Sequence, residues 1–373
     1  MFALESRLVS EAVNLDRFRQ EIDGFKTSFQ LGQNNIPKKI RHISITKNAF
    51  PEETEDYLNC FLDYCSKIDN DKIRKIFEFS AFSILEEISF TRKDGQYLRW
   101  DHRANKSWGK TKFNKGKIYP FIESINKKLI QLYRDLEFGN GNDLFTQLAD
   151  NKSHAKKPKI LQGSSLELMP NLDNNFFDFI MTSPPYCNRY DYTRTYALEL
   201  IFLGYNDEQV KNLRQEMLSC TVENKEKIQI LKNIYGKLNR PDVFKKVVSD
   251  YKSNEVMQEV NNVLKSLNDQ KLLNNSNIPR MVKNYFLEMA FIIFEMHRVL
   301  KKGGYSVMVN DNVRYGGQEI PVDLILSDFA VNFGFELEKI WTLPVGKGNS
   351  SQQMGNHGRS ELRKCVYVWR KPE

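Results

Sequence analysis

Cysteine is scarce in this chain: five among 373 residues (Cys60, Cys65, Cys187, Cys220 and Cys365), no two of them in a C-x-x-C pair. An odd number without that spacing excludes a disulfide framework and argues against a structural zinc site, so reduced thiols are expected. Histidine is equally thin at five residues, and His357 has no His or Cys at ligand spacing, so no metal is assigned. Long hydrophobic runs are missing, none approaching the roughly 18 residues of a membrane helix. The opening Met1-Phe2-Ala3-Leu4-Glu5-Ser6-Arg7 has an early acid and no signal-peptide block. No internal repeat is visible. These absences read as a soluble, cytoplasmic protein with no membrane partner. Acid is in the minority, with 47 Asp and Glu against 55 Lys and Arg and a net charge of +8. The bases are spread along the chain, which favours a phosphate-bearing partner modestly.

What is present supports a folded core: 40% hydrophobic and 12% aromatic residues in a length that suits two or three domains, or one α/β domain with large insertions. The chain is organised around Thr182-Ser183-Pro184-Pro185-Tyr186, at the end of the apolar run 176–181. Two consecutive prolines remove two backbone donors and fix two φ angles, leaving carbonyl oxygens without local partners beside a hydroxyl and an aromatic face.

Residues 1–155 read as a mostly helical N-terminal region. Leu58, Phe61, Leu62 and Cys65, then Ile73, Ile76, Phe77, Ala81 and Ile84, recur at helical spacing. Pro51-Glu52-Glu53 marks a helix start. Between about 90 and 117, Arg92, Lys93, Arg99 and Lys106 interleave with Tyr97, Trp100 and Trp108, which suits either a nucleic-acid surface or a solvated loop with anchoring aromatics. A helix over 118–136 follows, and Phe138-Gly139-Asn140-Gly141-Asn142 reads as its stop.

The pattern then turns to α/β. Lys159–Gln162 is a strand candidate, Gly163-Ser164-Ser165 a turn, and 176–181 a buried strand leading into the proline loop, where functional loops of open α/β sheets lie. Residues 206–280 read as a polar helical insertion. Helix 281–300 is too apolar for the surface and closes on Arg298-Val299-Leu300-Lys301-Lys302-Gly303-Gly304, with cations in its last turn and glycine as its cap. Strand 305–309, helix 323–333, strand 337–343 and strand 365–369 complete a core of 156–205 and 281–373, broken by the glycine-rich polar loop 346–359.

An exocyclic amine on a nucleobase is a poor nucleophile because its lone pair is delocalised into the ring. Alkylating it requires acceptors for both N–H bonds and a face to hold the base. The proline loop offers the Ser183 hydroxyl, the Ser183 or Pro184 carbonyl, and the Tyr186 ring. A base in such a pocket has left its duplex.

Three segments occur in the order and spacing of amino-group DNA methyltransferases: Ile160-Leu161-Gln162-Gly163-Ser164-Ser165, Phe177 to Tyr186, and Arg298 to Gly304. The chain resembles the cytosine-N4 type, whose loop is usually serine-proline-proline-tyrosine or -phenylalanine, whereas adenine-N6 enzymes more often begin theirs with aspartate or asparagine. The likeness covers about 158–204 and 281–370. It implies a Rossmann-like S-adenosylmethionine-dependent methyltransferase sheet, complete or lacking strands, with direct transfer from S-adenosylmethionine to a flipped base of double-stranded DNA, and a cognate restriction endonuclease as a partner. Ser183, Pro184, Pro185 and Tyr186 would be catalytic, and Gly163, Ser164, Ser165 and Thr182 would contact the cofactor. A cytosine-C5 enzyme is disfavoured, because that chemistry needs a Pro-Cys nucleophile and the chain has no Pro-Cys pair. Arg189, Tyr190, Tyr192 and Arg194 would grip the DNA strand, unless the tyrosines are core and the arginines solvated. Lys347, Gln352 and Arg359, with Ser350 and Gln353, would meet phosphates or base edges, unless the loop is plain surface. Either the N-terminal region or the insertion would read bases.

Two departures stand out. Ser164 occupies the place where the family usually has an aspartate, and a hydroxyl accepts a hydrogen bond more weakly. The glycine turn F-x-G-x-G that follows a strand and holds the donor does not occur; Phe138 touches Gly139 directly and follows a helix. The expectation is therefore a catalytic subunit of a split enzyme whose second subunit supplies that turn. An adenine-N6 or RNA-base methyltransferase, and an inactive DNA-binding or specificity subunit, stand as alternatives.

Overall fold

Asparagine opens three of the longer helices. Asn14 accepts from the Arg17 N–H at 2.9 Å, Asn70 from the N–H groups of Lys72 and Ile73, and Asn254 from Met257. Each side chain thereby satisfies donors that the first helical turn leaves unpaired. The computed structural model describes residues 1–29, 39–94, 97–104, 106, 112–139, 158–343 and 362–373. It divides into one unit of Met1–Gln162 with Thr193–Val210, and another of Gly163–Tyr192 with Lys211–Glu373.

The first unit is built from α1 (Phe2–Ser10), α2 (Leu15–Ser28), α3 (Glu52–Ser66), α4 (Asp71–Ile84), a hairpin of β1 (Thr91–Asp94) and β2 (Tyr97–Trp100), α5 (Phe121–Gly139) and the short helix Ala197–Phe202. Helix α3 starts where Pro51 and its acids predicted, with Glu52, Glu53 and Glu55 in its first turn. The periodic apolar residues face one another: Phe18, Phe25, Phe61, Phe77 and Phe121 are fully buried, and Phe25 meets Phe61 edge-on with ring centres 5.3 Å apart.

The second unit carries the sheet. Its labelled elements are β3 (Phe177–Thr182), α6 (Asp207–Glu216, whose first residues belong to the first unit), α7 (Ile228–Lys237), α8 (Pro241–Ser253), α9 (Glu255–Asp269), α10 (Ile278–Val299), β4 (Leu300–Asp311), β5 (Val313–Tyr315), β6 (Gln318–Ile320), α11 (Val322–Asn332), β7 (Glu336–Thr342) and β8 (Lys364–Arg370). The four-stranded sheet runs β3-β4-β8-β7; β3 and β4 are parallel, and the other two pairings are antiparallel. This is a mixed α/β fold, as the alternating pattern predicted. Helices α10 and α11 cover one face, meeting Met308, Cys365, Tyr367 and Trp369 from β4 and β8.

Helix α10 is buried on nearly all sides, and its two acids anchor the helices before it. Glu288 accepts from the Ser219 N–H at 2.9 Å, the Ser219 hydroxyl and Lys227 Nζ at 3.0 Å. Burial raises its pKa, which Lys227 opposes. Glu295 accepts from Tyr235 at 2.9 Å and Arg240 at 3.0 Å, and binds Arg298 as well. Leu231, Tyr235, Val247, Tyr251, Met257 and Leu264 of α7–α9 join the same core.

Three expectations are corrected. Residues 158–162 form no strand; a strand needs a partner ladder, and none is formed there among the described residues. Among the described residues β3 is an edge strand with exposed apolar side chains, whereas its composition had read as buried on both faces. Gly303 and Gly304 do not cap α10. The helix ends at Val299, and Leu300 already lies in β4, which pairs Leu300 with Phe177 and then Tyr305 with Phe179. The extra residues form a bulge in which Gly303 is left-handed at φ +73°. At Gly304 an added Cβ would sit 2.9 Å from the backbone oxygens of Asp178 and Lys301.

That close approach predicts a cost of about 1–3 kcal/mol for Gly304→Ala. Gly236→Ala, in α7 with nothing within 4 Å of its Cβ, is expected to gain about 0.5–1 kcal/mol. Chemical unfolding midpoints measure both; equal shifts would contradict the bulge geometry.

Candidate active site

Parallel pairing places the end of β3 beside the end of β4, with Thr182 opposite Met308 and Asn310-Asp311 just beyond. The chain leaves Thr182 into Ser183-Pro184-Pro185-Tyr186, where the prolines deny any further ladder bonds. Ser183 is exposed, Tyr186 half-buried, and Ser183 Oγ lies 3.1 Å from the Tyr186 hydroxyl. Burial raises the Tyr186 pKa, the Ser183 bond opposes this, and the Asp311 carboxylate adds to the rise. The phenol therefore keeps its proton at neutral pH and can donate to Ser183 Oγ, which retains a lone pair and its own O–H.

The floor of the loop is fixed from behind. Cys187 is fully buried, and its carbonyl accepts from the Tyr315 hydroxyl at 2.6 Å. Asn310 is buried and donates to the Tyr285 hydroxyl of α10 at 2.8 Å. Asp311 is raised in pKa by burial, with Lys364 opposing. Tyr285, Tyr315 and Asp311 were not assigned roles from sequence. The only signal for Asp311 was its position in Asn310-Asp311-Asn312 at a strand end; Tyr315 lies 128 positions from the carbonyl that it binds.

Of the residues expected in the site, Ser183 and Tyr186 are brought together directly, on a frame of Pro184 and Pro185. Gly163, Ser164 and Ser165 lie ahead of β3 in a turn that enters the short helix Ser165–Leu168. Gly163 has φ +152°, and its Cβ position would lie 3.2 Å from Leu168; Ser164 makes no side-chain cap bond. Arg189, left-handed at φ +67°, donates to Asn274 at 2.8 Å. Tyr190 and Tyr192 pack with ring centres 4.6 Å apart, and Arg194 is exposed. Lys347, Gln352 and Arg359, with Ser350, Gln353 and His357, lie outside the described residues, as does Trp108.

In the basic and aromatic stretch of the first unit, cations already cover rings. Lys106 Nζ is 3.3 Å from the centre of Trp100, and the Arg99 guanidinium is 4.2 Å from that of Phe113. Lys93 lies over Tyr196 and pairs with Glu199.

The sequence was compared with known proteins. No family model matches the chain. It is similar to the Type II methyltransferase M.AvaI of Nostoc, 45% identical over 366 residues that span 98% of this chain and 72% of the relative. The chain belongs to the Type II methyltransferases. A second member, M.BsoBI of Geobacillus stearothermophilus, is 40% identical over 368 residues, 95% of this chain and 71% of the relative. M.MvaI of Kocuria varians is 25% identical over 237 residues, 61% of this chain and 47% of the relative. More than a quarter of M.AvaI and of M.BsoBI thus lies outside the match. Among the described residues of this Type II methyltransferase, no helix is long and apolar enough to cross a membrane, and no group of His, Cys, Asp and Glu could hold a metal ion.

The geometry predicts a split between support and chemistry. Tyr315→Phe leaves a buried carbonyl unpaired and is expected to cost about 1–3 kcal/mol. Ser183→Ala, at an exposed position, is expected to change stability by less than about 0.5 kcal/mol. Urea unfolding of the two variants checks this; a large loss for Ser183→Ala would mark the hydroxyl as structural.

Proposed function

We propose that this chain is the catalytic, base-binding subunit of a DNA methyltransferase that modifies the exocyclic amine of a flipped base, with cytosine N4 as the target and S-adenosylmethionine as the donor. The observation that carries the reading is the Ser183–Tyr186 pair at the carboxyl end of β3, 3.1 Å apart, in a chain of the Type II methyltransferase family. The loop that opens with serine rather than an acid supports cytosine N4 over adenine N6.

On this reading the base amine enters the loop and donates one N–H to Ser183 Oγ and the other to the Ser183 or Pro184 carbonyl. Drawing both N–H bonds into one acceptor site turns the nitrogen lone pair out of conjugation and toward the donor side. Tyr186 holds Ser183 through its hydroxyl and offers its ring as a stacking face for the base. Asp311 is a nearby carboxylate of raised pKa that can take part in removing the amine proton once the nitrogen is alkylated.

S-adenosylmethionine supplies an electrophilic methyl group, and this chain offers only part of a cradle for it. Ser164 has a hydroxyl not committed to its helix, and Gly163 a bare turn. The F-x-G-x-G turn is absent from the 373 residues. On this reading the rest of the donor's cradle comes from outside these 373 residues. Arg189, Tyr190, Tyr192 and Arg194, together with Lys347, Gln352 and Arg359, are assigned to the DNA, and a restriction endonuclease of the same specificity to the cell.

The test is mass spectrometry of nucleosides from DNA treated with the reconstituted enzyme. N4-methylcytosine is expected, falling by about 10²–10³-fold in Ser183→Ala. N6-methyladenine, or transfer only to RNA, would overturn the target. An unchanged rate in Ser183→Ala would overturn the role of the loop, as expected of a specificity subunit.

A further inference from the structure

Bases are spread along the chain, but the excess of positive charge is not. Residues 90–117 hold nine Lys and Arg against two Asp and no Glu, a net of +7 within a chain whose total is +8. Acids elsewhere nearly balance the bases, so the excess belongs to this one stretch of the first unit. Part of that charge is used inside the fold. Asp101, fully buried, accepts from Arg103 Nε and from the Lys115 N–H, both at 2.6 Å, and Lys115 Nζ donates to the Ser89 carbonyl at 2.8 Å. The Phe90 N–H reaches the Ala49 carbonyl and the Asp101 N–H the Phe90 carbonyl, each at 2.7 Å. These bonds fasten the base of both strands of the β1–β2 ribbon, and Thr91 and Leu98 are buried on its inner face.

On the outer face the register puts Arg92 directly across from Arg99, and both are exposed. Like charges directly opposite on a two-stranded ribbon are destabilising. Asp94 offsets one of them by accepting from Arg99 at 3.0 Å, whereas Arg92 pairs with no acid among the described residues. The Arg99 guanidinium also lies 4.2 Å from the centre of the half-buried Phe113 ring, next in the chain to the exposed Lys112. A repulsive pair on a ribbon anchored this firmly calls for an anionic partner that meets both guanidinia. We infer that the outer face of β1–β2 is a duplex-DNA contact, in which Arg92 and Arg99 each take a backbone phosphate. The inference rests on the reading that the substrate is double-stranded DNA, and it names the element of the first unit that holds it. Two adjacent guanidinia on a stiff ribbon match a polymer whose charges recur at short, regular intervals, one per about 1.7 Å of duplex axis. Their planar forks suit phosphate oxygens. In this role they supply affinity and register on the duplex and read no sequence.

The experiment uses the full chain and a fluorescein-labelled duplex of random sequence, with binding followed by anisotropy across a salt series and no methyl donor added. Arg92→Gln with Arg99→Gln should weaken binding about tenfold at low salt and make the plot of log K against log salt shallower by about 2. Arg92→Gln alone should give about half of that change in slope. The loss should be the same on duplexes of different sequence. Both positions are exposed and repel each other, so the unfolding midpoint should stay in place or rise slightly. Lys245→Gln with Lys252→Gln, exposed on α8 of the second unit, removes the same charge and should change the slope far less. Absence of duplex binding by the unaltered chain, an unchanged slope in the ribbon variants, or equal effects of the two double variants would each overturn the inference. So would displacement of the duplex by polyglutamate at matched charge, which an acidic protein partner would predict. A chain that holds duplex through the ribbon yet transfers no methyl group fails the functional reading alone. Methyl transfer at an unchanged rate by the ribbon double variant at limiting DNA fails the ribbon alone.

Discussion

The parallel pairing of β3 with β4 is the constraint on which the candidate site depends. It brings two carboxyl ends together, so that the rigid Thr182–Tyr186 loop emerges beside Asn310 and Asp311. Gly304 permits the approach, since any side chain there would collide with the backbone of Asp178 and Lys301. Tyr315 and Tyr285 then hold the loop and the β4 tip from the core side through the Cys187 carbonyl and Asn310. The prolines make the loop stiff, and the buried phenols make its position definite. Ser183 remains exposed and Tyr186 partly so, the groups that the proposed chemistry uses.

The same pairing is one-sided. In a doubly wound sheet a strand carrying a site is flanked on both edges and covered on both faces. Among the described residues, β4 supplies one edge and α10 and α11 one face, and Phe179, Met181, Tyr305 and Trp341 on the other face are exposed.

Much of this was legible in the residues, and the misreadings have physical causes. The proline loop, the apolar helix α10 and the following strand were recognisable because each depends on local pattern: donor loss, all-round burial and alternation. Gly303 and Gly304 were misassigned because cations followed by glycine describe a helix cap and a strand bulge equally well; only the partner strand distinguishes them. β3 read as buried because an apolar edge strand and an interior strand can have the same composition. Lys159–Gln162 had strand character and found no partner. The polar residues of α7–α9 read as a helical insertion; their apolar stripe packs on α10 through Tyr235, Tyr251 and Leu264, and Glu288 and Glu295 fasten it. The Tyr315 contact spans 128 positions and has no local signature.

On the proposed function, a flipped cytosine lies on the Thr182–Tyr186 loop. Photo-crosslinking of the reconstituted enzyme to a random-sequence duplex pool containing 5-iodocytosine, followed by peptide mass spectrometry, addresses it without knowledge of the recognition sequence. A cross-link on Tyr186 is expected, absent with 5-iodouracil in place of thymine as the only photoprobe. Cross-links confined to other segments, with Tyr186 unmodified, would contradict it.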